Sequence, residues 1–73
     1  MTHTWTPHPR NPKWLQLAGS VDSLVRTVPD PRGRYLWQFR KVVSFADSVD
    51  AAKDYVEAGA EFFATMRRNP YSP

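Results

Sequence analysis

Between positions 47 and 68 the apolar residues recur at helical period. Ala52, Tyr55, Val56, Gly59, Phe62, Phe63 and Met66 stand at i, i+3, i+4, i+7, i+10, i+11 and i+14, a single face of a helix. The spacing predicts a helix over 47–68. Asp47 or Ser48 is placed to cap it, and Asp50 in the first turn and Arg67 and Arg68 in the last complement its dipole. Asn69 and Pro70 stop it, and Tyr71 is placed to fold back on its end. The same spacing appears in Trp14, Leu17, Ala18, Val21, Leu24, Val25 and Val28, which predicts a second helix over 12–28. Asn11 followed by Pro12 has the form of a helix start, and Pro29 ends the segment. Gly19 lies off that face and weakens a helix by about 0.5–1 kcal/mol relative to alanine. Two prolines and Gly33 make the stretch that follows a turn.

Residues 34–46 satisfy two periods. As a helix, Tyr35, Phe39, Val42, Phe45 and Ala46 share a face that Gln38 interrupts. As a strand, Tyr35, Trp37, Phe39, Val43 and Phe45 alternate with only Lys41 out of place, and aromatic and β-branched content favours a sheet. The decision for a helix rests on backbone hydrogen bonds: a lone strand leaves its polar groups unpaired, and the only other strand-like stretch is the short run at 2–6. A strand here would have to pair with the N-terminal tail or with a second chain. Residues 1–11 contain Pro7 and Pro9 with no helical period and read as an extended arm, tied down if Trp5 finds an apolar surface. The expectation is an all-α, three-helix domain, a small helical bundle, with helices over 12–28, 34–46 and 47–68. The arm occupies 1–11, the domain 12–70 and a tail 71–73. The alternative is an α+β chain with 34–45 as a strand.

At 73 residues the chain holds one domain. It contains no cysteine, which removes disulfides and thiolate metal sites and fits a reducing compartment. Its N-terminus lacks the apolar core of a signal peptide, and no run approaches the roughly 18 apolar residues of a membrane span, so a cytoplasmic location is expected and a membrane partner is not. Charge is unevenly placed: residues 1–46 carry seven basic side chains against Asp22 and Asp30, a net +5. Residues 47–73 carry five acids against Lys53, Arg67 and Arg68, a net −2.

Candidate chemistry is sparse. His3 and His8 cannot complete a four-coordinate metal site, and no cysteine or neighbouring carboxylate joins them. Ser20, Ser23, Ser44 and Ser48 have no local base. The carboxylate pairs Asp50 with Asp54 and Glu57 with Glu61 fit the solvated face of the last helix, where Lys53 and Glu57 supply an opposite-charge pair. No cofactor, metal or small-molecule ligand is expected, and the chain reads as non-enzymatic.

Ten aromatic residues exceed what three short helices conceal, which points to a protein–protein interaction module. It would serve as an accessory, decorating or inhibitory subunit of a larger assembly or as a homodimer; small basic chains of this kind are common among phage and bacterial products. Trp5 and Trp37 are the candidate anchors, with Arg10, Arg32 and Arg34 as polar companions. The alternative is a nucleic-acid-binding protein in which Arg32, Arg34, Arg40 and Lys41 neutralise phosphates around Tyr35, Trp37 and Phe39.

Overall fold

The computed structural model describes residues 3–68, with side chains through position 64. Five strands, β1 (Trp5–Pro7), β2 (Trp14–Leu17), β3 (Ser23–Arg26), β4 (Tyr35–Phe39) and β5 (Val42–Ala46), precede one helix, α1 (Val49–Arg68). The strands form one antiparallel sheet in sequence order, and α1 crosses one of its faces, mainly over β3, β4 and β5.

The three-helix expectation, and with it the helical bundle, is therefore corrected to an α+β fold. Residues 12–28 form β2, a turn and β3. Of the seven residues that shared a helical face there, only Leu17 and Val25 are buried, while Ala18, Val21 and Val28 are exposed. The local cause is the turn: Gly19 adopts φ +86°, Ser20 N–H donates to Leu17 C=O and Ser23 N–H donates to Ser20 C=O. A segment carrying Gly19, Ser20, Ser23, Thr27 and three valines has little helix propensity to oppose that turn. Asn11 is likewise a turn residue, its side-chain oxygen accepting from Lys13 N–H, and not a helix cap.

Residues 34–46 are extended, but as two strands joined at Arg40 and Lys41, so the single-strand alternative is also corrected. Their partner is neither the tail nor a second chain. β4 pairs with β3 in the register Val25↔Trp37, and with β5 in the register Trp37↔Ser44. Reading 12–28 as a helix had removed the strand that satisfies them. Trp5–Pro7 of the supposed arm pairs with β2 and belongs to the sheet. The expectations for Met66, Arg67 and Arg68 side chains, for the stop at Asn69 and Pro70, and for Tyr71 and the tail lie outside the described residues.

α1 starts where its sequence indicates: Ser48 Oγ accepts from Ala51 N–H at 3.0 Å, and Asp50 lies in the first turn. Its inner stripe, Ala52, Val56, Gly59 and Phe63, meets Leu17, Val25, Phe39 and Ala46 of the sheet. Gly59 has a steric purpose, since a Cβ there would sit 3.1 Å from the Phe39 ring. Ser23 is buried among these apolar residues because it serves the backbone: its Oγ donates to Ser20 C=O at 2.6 Å and accepts from Leu17 N–H at 2.8 Å.

Two substitutions test this packing by chemical denaturation. Ser23→Ala leaves the Leu17 N–H buried without an acceptor and is expected to destabilise by about 1–3 kcal/mol, although it removes a single oxygen. Val56→Ala, at a position with 0% exposure, is expected to cost about 2 kcal/mol through lost burial and the cavity left behind. Losses below about 0.5 kcal/mol, the range of ordinary surface changes, would contradict this core.

Candidate functional site

The two edges of the sheet differ. β1 is three residues long and ends in Pro7, which has no N–H to offer, so it is a poor template for a further strand. β5 has five residues, Val42, Val43, Ser44, Phe45 and Ala46, without proline or charge. Its hydrogen-bonding phase follows from the two-residue turn at Arg40 and Lys41. Such a turn closes on a bonded pair, Phe39 with Val42, and bonded and non-bonded pairs then alternate. Val42, Ser44 and Ala46 direct their backbone groups to β4, while Val43 and Phe45 direct theirs outward from the sheet.

Beside this edge stands one flank of α1. Trp5 Nε1 donates to Glu57 Oε2 at 2.8 Å, His3 Nε2 meets Glu61 Oε2 at 2.7 Å, and the Lys53 ammonium lies over the Trp5 ring, so the charged flank of the helix faces β1. Advancing about 100° per residue puts Asp50, Asp54, Glu57 and Glu61 on that half and Tyr55 and Phe62 on the half facing β5. Phe62 borders a groove of about 710 Å³ together with Phe39, Val42, Gly59 and Phe63. The size is that of a small-ligand cleft, but two of the three charged groups at its rim engage each other: Arg40 Nη1 pairs with Asp22 Oδ2 at 3.4 Å and its guanidinium lies 4.1 Å from the Phe63 centroid, while the third, Lys41, is exposed in the turn. What remains is an apolar shoulder.

Seven large hydrophobic residues are exposed among the described residues, and five belong to this region: Val42, Val43 and Phe45 on β5, and Phe62 and Tyr55 on α1, at 67% and 56% exposure. The stripe expected to bury as one face is thus divided. Ala52, Val56, Gly59 and Phe63 cover the chain's own sheet, while Phe62 and most of Tyr55 extend past β4 into solvent.

The residues singled out from the sequence do not converge on one place. Trp5 is half-buried against the core and hydrogen-bonded to Glu57. Trp37 stacks on Tyr55 at 5.4 Å and 13°, its Nε1 buried without a partner among the described residues. Arg10 and Arg32 are exposed in the β1–β2 and β3–β4 connections. Arg34 binds Asp30 and covers the Phe45 ring at 4.5 Å on the face away from α1. Arg40 and Lys41 lie at the opposite end of β4, about 20 Å from Arg34 by strand rise. Strand alternation further separates Tyr35, Trp37 and Phe39, under the helix, from Arg34 on the open face. The site residues that sequence reasoning missed are Val42, Val43, Tyr55 and Phe62. For Tyr55 and Phe62 the signal was a helical stripe too wide for one small domain to cover; for Val42 and Val43 there was none.

The open face carries a second feature. The meander brings Arg10, Lys13, Arg26, Arg32 and Arg34 to one end of the sheet, with Asp30 among them. Arg26 lies over the Trp14 ring at 5.3 Å. Among the described residues no group of three or more His, Cys, Asp or Glu could hold a metal ion, and no helix is long and apolar enough to cross a membrane. Comparison of the chain with family models, curated proteins and solved structures finds no match.

Asp30 organises the basic end. Its carboxyl is held below its ordinary value of 3.8 chiefly by the backbone N–H of Arg34, against the desolvation that raises it, with the Arg32 N–H and the Arg34 guanidinium adding to the lowering. Because the folded value lies below the unfolded one, this contribution is present above the unfolded value and is lost as pH falls through the folded one. A carboxyl-carbon NMR titration is expected to give Asp30 a midpoint below 3.8; a midpoint at or above it would show that the turn does not hold the carboxylate.

Proposed function

We propose that this chain is a non-enzymatic protein-interaction module that binds through the β5 edge and the adjoining flank of α1. The observation that carries the reading is the concentration of exposed apolar side chains on this one margin of the molecule, next to unpaired backbone groups. An extended segment of a partner can add to β5, take its main-chain bonds from Val43 and Phe45, and cover Val42, Tyr55 and Phe62. Such a partner is another protein or a second copy of this chain. Trp37 contributes from beneath, since it holds the Tyr55 ring in place.

The test is affinity capture of the tagged chain from the cells that express it, with untagged copies of the chain counted among the proteins recovered. The double variant Val43→Lys/Phe62→Glu charges the edge and the shoulder without touching the core. It is expected to lose at least about tenfold of the specifically recovered protein, in line with the cost of disrupting interface anchors. Thr4→Lys, exposed just before β1 at the other edge of the sheet, is expected to recover it in full. Equal recovery by both variants would exclude this margin as the binding surface.

Nucleic-acid binding is the second reading, and what favours it is the basic end of the open face. Arg32 and Arg34 of the original set belong to it, joined by Arg10, Lys13 and Arg26, whereas Arg40 and Lys41 do not. Two points weaken it: the Trp14 and Phe45 rings that bases would stack on already lie beneath the chain's own guanidinium groups, and α1 presents acids on its outer half. On this reading a single-stranded oligonucleotide binds at low salt, releases steeply as salt rises, and is lost with Arg26→Ala/Arg34→Ala. No retention at low salt removes it.

A further inference from the structure

We infer that the strand added to β5 is β5 of a second copy, paired antiparallel about a two-fold axis at Ser44, so that two sheets join into one with both α1 helices on the same side. The inference rests on the reading that this edge is the binding surface, and it names the partner.

The strand and the residues that continue it set the register. With Ser44 facing its own copy, the two outward-directed residues meet: Val43 opposes Phe45 of the partner subunit, and the two exchange both N–H···O bonds in the spacing an antiparallel ladder requires. Val42 then opposes Ala46 of the partner subunit. One step further out, Lys41 opposes Asp47 of the partner subunit, and the dyad repeats the pair at the other end. Both residues are exposed, and they are the charged residues that flank β5 directly in the sequence. A dyad one position earlier would place Lys41 against the partner subunit's Phe45. One position later, Asp47 would face the partner subunit's Val43. Of the three, only the Ser44 axis pairs Val43 with Phe45, Val42 with Ala46 and opposite charge with opposite charge, leaving the two Ser44 side chains to face each other at the centre.

The helices fit the same axis. Tyr55 stacks on Trp37, and Trp37 is the cross-strand partner of Ser44, so Tyr55 stands level with the dyad and faces its own copy. Joining β5 to β5 puts the two β4 strands three strand spacings apart, about 14 Å. Helices that sit chiefly over β3 and β4 are at least that far apart, beyond the 8–10 Å of direct helix contact, and the interval calls for large side chains. Tyr55 and Phe62 supply them. The four acids of α1 whose side chains are described lie on the other half of the helix and do not meet across the axis.

Sedimentation of the full chain across micromolar to near-millimolar concentration tests the pairing, with circular dichroism confirming that each variant keeps the fold. Wild type is expected to dimerise. Lys41→Asp puts like charges at both ends of the seam, as does Asp47→Lys, and each is expected to weaken association by about tenfold or more at low salt. The double variant Lys41→Asp/Asp47→Lys restores opposite charges and is expected to recover dimerisation. An equimolar mixture of the two single variants is expected to form heterodimers, because each then supplies what the other lacks. A double variant no tighter than the single ones, or a mixture that stays monomeric, would overturn the register. A wild type that stays monomeric throughout would overturn the dimer. In that case, loss of a foreign protein with Val43→Lys/Phe62→Glu in the capture experiment would still sustain the edge as a binding surface, whereas no loss there would remove the broader reading too.

Discussion

One helix lies on one sheet, and the close approach between them governs the rest of the molecule. Ala52 and Gly59 allow α1 near enough for Val56 to be fully buried and for the Phe39 ring to fill the space left by the absent Cβ. A chain of this size buries only roughly 60% of its unfolded surface, and among the described residues no third layer covers the outer face of the sheet. Because α1 sits chiefly over β3 and β4, its flanks extend over ground of two kinds. Toward β1, polar contacts from Trp5, His3 and Lys53 secure the charged flank. Toward β5 the flank is apolar, and nothing described in the chain covers it fully.

The helix was legible in the sequence because twenty residues of sustained period, with Ser48 as a cap, leave little room for another interpretation. The turn at 29–34 was legible from its prolines and glycine. The strands were not, and the reason is physical: a four-residue strand shows only two residues to each face, so Leu15 and Leu17 inside and Trp14 and Gln16 outside are too few to outweigh a helical spacing that runs through the turn beyond. Gly19 was the informative residue, since a positive φ there breaks any helix over 12–28. The error then propagated. With β3 taken into a helix, 34–46 has no partner, and its backbone groups then count against a strand although β3 satisfies them in the sheet.

Less of the candidate site could be read. An edge strand is a property of topology, which no local pattern in VVSFA reveals. Tyr55 and Phe62 were visible as part of the apolar stripe, but their exposure depends on how much sheet lies beneath the helix. The interleaving of arginine with aromatic residues around position 37 was misleading for a related reason: alternation along a strand separates such neighbours onto opposite faces, so adjacency in sequence became separation in space. The uneven charge acquired a structural meaning instead, as a basic sheet layer beneath an acidic helix.

The proposed role depends on β5 being a strand with one side paired and the other free. Amide hydrogen exchange at single-residue resolution reads that state directly, in dilute solution. The account predicts alternation: Val42, Ser44 and Ala46, bonded to β4, exchange slowly, while Val43 and Phe45 exchange fast and become protected as a partner or a second copy is added. Uniform fast exchange across 42–46 would show that the strand does not form. Protection of Val43 and Phe45 at every dilution would show that the edge is already covered, and either result would contradict the account.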